Sequence, residues 1–134
     1  MFVEIFSLCD AATSEAGKLN ILGAFDTIWA RGFPIAYPHC AIAMRLRFSS
    51  LEKGEHQVDV RFIDEDGKNV LPPAGGKLQI DTPDGHRSTS ANLILNIQSL
   101  NLVKPGECSV ELSIDGQLAV SLPLFIKQMA TPNP

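Results

Sequence analysis

Apolar and polar side chains alternate in segment after segment of this chain, with turn residues between the segments. At Cys40, Ile42, Met44, Leu46 and Phe48 the apolar positions interleave with Ala41, Ala43, Arg45 and Arg47. The same period of two returns at Val58, Val60 and Phe62 against Asp59 and Arg61, and at Val110, Leu112 and Ile114 against Ser109, Glu111, Ser113 and Asp115. A strand sends successive side chains to opposite faces, so these segments make sheets with one dry face and one wet face. Two dry faces must bury each other. The pattern therefore predicts an all-β fold, a single antiparallel β-sandwich of about eight or nine strands.

Strands are expected over 2–9, 19–26, 40–49, 56–64, 91–97, 100–103, 108–114 and 117–126, with a short one over 78–81. In the second of these, Leu19, Ile21, Gly23 and Phe25 share a face, and Gly23 marks a bulge or a close backbone contact. Residues 11–17 read as a polar loop, and 10–16 is the only helical candidate. The segment 27–38 carries Gly32, Pro34 and Pro38, which demote it to an edge or an irregular crossing. Asp64-Glu65-Asp66-Gly67 signals a hairpin turn; a return strand runs from Lys68 to Leu71 and stops at Pro72-Pro73. Gly75-Gly76 reads as a flexible loop, as does 82–89. Asp115-Gly116 predicts a tight turn with positive φ angles. One domain over 1–127 is expected, with a flexible tail over 128–134.

Composition narrows the function classes. Eleven basic and fifteen acidic residues leave a net charge of −4 over 134 residues, which disfavours a nucleic-acid partner. Arg45 and Arg47 form the only basic pair on one face, too small for a phosphate footprint. There is no apolar run of about 20 residues, so no transmembrane helix is expected. The N-terminus carries Glu4 within its apolar stretch and has no basic start, so it reads as part of the fold, and a cytoplasmic location follows. Cys9, Cys40 and Cys108 are widely spaced and lie in or beside apolar strands. They read as buried reduced thiols.

Two stretches carry a resemblance. Leu8-Cys9-Asp10-Ala11-Ala12 followed by Gly17-Lys18-Leu19-Asn20-Ile21-Leu22-Gly23-Ala24-Phe25-Asp26 resembles the N-terminal signature of an uncharacterised bacterial family of small all-β proteins. Phe62-Ile63-Asp64-Glu65-Asp66-Gly67, and Leu100-Asn101-Leu102 with Pro105-Gly106-Glu107, sit as that family has them. The resemblance spans nearly the whole chain and implies no activity. A looser one is to immunoglobulin-like and fibronectin-like sandwiches, through Leu102, Pro105-Gly106 and the strand that follows. Those folds anchor this corner with a Tyr, and here the position holds Cys108, which departs from the pattern.

No chemical motif stands out. The turn at Asp64 and Asp66 offers oxygens to a hard cation, with Asp81 or Asp84 as further ligands, but it lacks the spacing of a calcium loop. His39, His56, His86 and the cysteines show no zinc-ligand spacing, and Ser88, Thr89 and Ser90 beside His86 lack a nucleophile elbow. No catalytic residue, metal or cofactor is expected. Trp29, Arg31, Phe33 and Tyr37 have the composition of interface anchors, against the alternative that the rings cap one end of the core. The expected function is a non-catalytic protein-binding or assembly module, a homodimer through an edge strand or the Trp29 region being one form of it. The alternative is an enzyme or metal-dependent small-ligand binder using the loops around Asp64–Asp66 and Asp84–His86.

Overall fold

A computed structural model describes residues 1–130. Among them lie nine strands and one short 3-10 turn: β1 (Phe2–Glu15), β2 (Lys18–Ala24), β3 (Thr27–Ala30), β4 (Ile35–Ser49), η1 (Ser50–Glu52), β5 (Gly54–Ile63), β6 (Ala74–Ile80), β7 (Ser88–Leu102), β8 (Gly106–Ile114) and β9 (Gln117–Gln128). They form two sheets, ordered β2-β1-β4-β7 and β3-β9-β8-β5-β6. Every pairing is antiparallel except β3 with β9, which is parallel.

The alternation does its expected work. Ile42, Met44, Leu46 and Phe48 of β4 meet Val58, Val60 and Phe62 of β5 and Val110, Leu112 and Ile114 of β8 in one buried core shared by both sheets. Removing each such side chain from water is worth roughly 1.5–3 kcal/mol, which is why parity along a strand decides the face. Asp59 and Arg61 point away, and Arg61 pairs with Glu111 on the neighbouring strand at 3.7 Å.

The register defines two ends. Ser49, Gly54, Ile80, Ser88, Ile114 and Gln117 gather at the η1 end; Ile35, Ile63, Ala74, Leu102, Gly106 and Gln128 gather at the other. The loop 64–73 and the 103–105 turn therefore lie at one end. The 81–87 loop and the Asp115-Gly116 turn lie at the opposite end.

Several expected elements take another form. Residues 11–17 are neither loop nor helix: β1 continues to Glu15 and turns through Ala16 and Gly17 (φ 50° and 75°) into β2. The first half of β1 pairs with β4 and the second half with β2. The hairpin tip reaches back over the outside of its own sheet. There the Arg45 guanidinium and the Asn92 amide both donate to the Gly17 carbonyl, at 3.4 and 3.2 Å. Beneath it Cys9, Ala41 and Ala43 form a second, smaller buried cluster, with Ala12, Leu19 and Ile94 against it. Small residues on the wet face of β4 are thus explained: they admit the curled hairpin. In consequence Ile21 and Leu22 of β2 stay exposed instead of entering the core.

The return strand expected over 68–71 is reduced to one bridge between Asn69 and Ile63. The edge of that sheet is instead β6, which includes Gly75 and Gly76; a side chain at Gly75 would fall on the Asp59 carboxylate. The two strands expected over 91–97 and 100–103 are one strand, β7, with Ser99 at φ 57° where the chain kinks. Of the tail expected over 128–134, Gln128 closes β9 and the Met129 N–H donates to the Ala30 carbonyl at 2.7 Å. Positions 131–134 lie outside the described residues. Among the described residues no helix is long and apolar enough to cross a membrane.

Candidate functional site

The acidic turn is built to hold itself. Asp64 Oδ1 accepts the backbone N–H groups of Asp66 and Lys68, both at 2.9 Å. The Lys68 N–H, followed by burial acting the other way and then the Asp66 N–H, sets its carboxyl below the ordinary range. Glu65 Oε1 accepts the Glu107 N–H at 2.6 Å, tying this turn to β8, and Lys104 donates to Asp66 at 3.3 Å. The Asp64 and Asp66 carboxylates are engaged with N–H donors. Among the described residues no group of three or more His, Cys, Asp or Glu is placed to hold a metal ion. Asp81, Asp84 and His86 sit at the opposite end, so they cannot complete a site with Asp64 and Asp66. The alternative reading's two loops do not meet. Ser88, Thr89 and Ser90 are a strand start: they begin β7 and pair with β4.

Next to the acidic turn is a cavity of about 250 Å³, lined by Val70, Leu102, Val103, Cys108 and Ile126 among others. Cys108 is buried, and burial, then the charges of Asp64 and Glu65, push its thiol up. Cys40 is pushed up to about 11, first by burial and then by Cys9 and Asp10. Thiols held protonated in this way are poor nucleophiles. All three cysteines are free and buried, as the sequence suggests.

The four interface candidates separate. Trp29, on the edge strand β3, is 57% exposed, with the Lys127 ammonium 5.3 Å from its ring centre. Its neighbours Ile28 and Ala30 face the core. Arg31 is exposed, and its carbonyl accepts the Gln128 amide at 3.4 Å. Phe33 and Tyr37 pack against the core, Tyr37 with its ring 6.1 Å from that of Phe25. Two of the rings cap the core and one is presented to solvent.

A feature with no motif in the sequence lies along one side of the molecule. β6 and β7 are the outer strands of their sheets on that side, each with one edge unpaired among the described residues. Between them runs an apolar trough made of two adjoining hollows of about 200 and 280 Å³. Met44, Leu78 and Leu93 line one part, Phe62, Leu71 and Ile97 the other, and Val60, Ala74 and Leu95 belong to both. The near-continuous apolar run Leu93-Ile94-Leu95 is its trace in the sequence. That run reads as strand core until the neighbouring sheet is known to leave the side open.

The chain belongs to a family of unknown function (DUF6941), whose model matches residues 4–127. No curated protein matches it in sequence. Among solved structures it is similar to the Pseudomonas fluorescens alkylpurine DNA glycosylase AlkC, bound to DNA containing an abasic site analog. The TM-score is 0.54 and the identity 8%, over 94% of this chain and 30% of the glycosylase. A glycosyl hydrolase family 2 member from Bacteroides cellulosilyticus matches at TM-score 0.39 and 10% identity, over 67% of this chain and 13% of that one. The first likeness is one of fold alone.

Proposed function

We propose that this member of a family of unknown function is a non-catalytic protein-binding and assembly module, which takes an extended strand of a second copy into the seam between β6 and β7. The seam itself carries the reading: an apolar trough bordered by two strands with unpaired backbone edges. A free edge offers alternating N–H and C=O groups to an added strand, and side chains of alternate parity would fill the hollows between Leu78, Leu93 and Leu95. We also propose an immunoglobulin-like character for the sandwich, a reading supported by the connections β2–β3, β3–β4, β4–β5, β6–β7 and β7–β8, which pass from one sheet to the other. A DNA role is not carried over from the glycosylase, because a net charge of −4 opposes binding to a phosphate backbone.

Light scattering over a range of concentrations, joined to amide hydrogen exchange on the intact chain, tests the reading. A concentration-dependent dimer with slowed exchange in β6 and β7 is expected. A strict monomer, or a dimer that slows exchange only at β3 and Trp29, would overturn it. The cavity beside Asp64 favours a second reading, a small-ligand binder, in which the Asp84–His86 loop takes no part.

A further inference from the structure

His56 stands near the start of β5 at the η1 end, with its side chain 14% exposed. Its ring lies on Phe48, a fully buried core residue, with ring centres 4.8 Å apart. Both ring nitrogens are engaged. Nδ1 is 2.7 Å from Asp115 Oδ2, in the β8–β9 turn, and Nε2 is 2.6 Å from the main-chain carbonyl oxygen of Glu52, in η1.

The chemistry of those partners favours one protonation state. A main-chain carbonyl only accepts hydrogen bonds, and so does an ionised carboxylate. A neutral imidazole has one N–H and one lone pair, and would turn that lone pair toward an acceptor. Only the imidazolium donates to both.

Each partner is itself held in place. Asp115 Oδ1 accepts the Gln57 N–H at 2.9 Å, and the Asp115 N–H donates to the Gln57 carbonyl at 2.8 Å. The Glu52 carboxylate accepts the Ser49 N–H and the Met1 amino group, both at 2.8 Å. The Asp115 carboxylate is thus oriented toward the ring by its bond to Gln57, and the Glu52 side chain ties η1 to Ser49 and Met1.

We propose that His56 is a proton-dependent latch, closing this end of the sandwich when protonated and releasing either η1 or the β8–β9 turn when it loses a proton. η1, four residues before it in the chain, and the β8–β9 turn, 59 residues after it, converge on one ring, and a single proton decides whether both are bonded to it. Other charges nearby are the Asp115 and Glu52 carboxylates, the Met1 amine on Glu52, and the exposed pairs Lys53–Asp81 and Glu55–Lys77, at 3.5 and 3.2 Å. Phe48 beneath the ring and Leu78 opposite on β6 are neutral. The affinity of the ring for its proton is raised, chiefly by the Glu52 carbonyl and then by Asp115, with burial opposing.

The direction of the pH dependence follows. A histidine whose pKa is raised in the folded state contributes its full stability below its unfolded value of about 6.5, and loses that contribution as pH rises through the folded value. The latch is therefore closed in mild acid and opens on the alkaline side.

Imidazole nitrogen NMR and residue-resolved hydrogen exchange on the intact chain from pH 5.5 to 9 test this, with exposed His39 and His86 as references. Both His56 nitrogens are expected to carry protons below the transition. Exchange across 50–57 and 113–117 should quicken in step with its titration. His56→Gln should remove the pH dependence of exchange there. Asp115→Asn, which keeps a residue suited to the turn, should move the His56 titration to lower pH and so tests the latch even if the first variant folds poorly. A single neutral tautomer of His56 in mild acid, or an unchanged pH profile in either variant, would overturn the proposal.

Discussion

Gly23 and Leu46 show how differently single positions are constrained. Leu46 is fully buried on the dry face of β4. Leu46→Ala removes core methyl groups and leaves a cavity, and a loss of about 2–5 kcal/mol is expected in urea unfolding. Gly23 holds a backbone rather than a core. It sits at φ 68° on β2, and a side chain there would fall on the Asp10 carboxylate. An L-residue in that conformation costs about 1–2 kcal/mol, so Gly23→Ala should lose that much. Most of the loss should persist in an Asp10→Ala background, because the exposed carboxylate can swing aside whereas the φ angle cannot relax. A full rescue by Asp10→Ala would show that the close approach, not the backbone, decides. The β1–β2 register runs past Gly23 without a bulge, so of the two readings of this glycine the close contact holds; its partner Asp10 was not readable, since only pairing of β1 with β2 sets them opposite.

At the scale of elements, two hairpins share one turn geometry, and only one of them announces itself. Asp115 and Gly116 turn at φ 52° and 81°, as an Asp-Gly pair predicts. Gly116→Val should lower the melting temperature through backbone strain alone, since space around that glycine is open. Ala16 and Gly17 make the equivalent turn with an alanine at φ 50°. Alanine is a poor residue for this conformation, so Ala16→Asn should stabilise the chain by about 0.5–1 kcal/mol in denaturant titration. The run Ala11-Ala12-Thr13-Ser14-Glu15-Ala16 hid this hairpin because it carries no apolar alternation and favours helix locally. What holds it as strand is remote: Arg45 and Asn92 on its tip and the alanines of β4 beneath it. Asn92→Ala should accordingly speed hydrogen exchange over 11–22 while leaving β5 and β8 protected. Gly75-Gly76 is the reverse case. A flexible-looking pair becomes strand because the neighbouring β5 supplies its hydrogen bonds.

For the molecule as a whole, stability rests on one core spanning both sheets, with three buried free thiols inside it or on the smaller cluster. Melting temperature should therefore be unaffected by a chelator or by a thiol reductant; a large drop with either would point to a metal or a disulfide that the fold uses. The fold class was legible from the chain alone, because side-chain parity is local and each strand of β4, β5 and β8 type declares its own dry face. The final hairpin was legible from its Asp115-Gly116 turn, and the free cysteines from their wide spacing in or beside apolar strands. Three things were decided only by tertiary structure. Sheet order placed the loops of Asp64 and Asp84 at opposite ends and so dissolved a joint acidic site. The same order left β6 and β7 side by side with open edges, creating a trough from residues that read as ordinary core. And the convergence of Glu52, His56 and Asp115 depends on contacts across up to 59 positions of sequence. Parity tells a residue which side of its own strand it faces, whereas a site depends on which strands become neighbours, and that choice is made by long-range packing that no local pattern encodes.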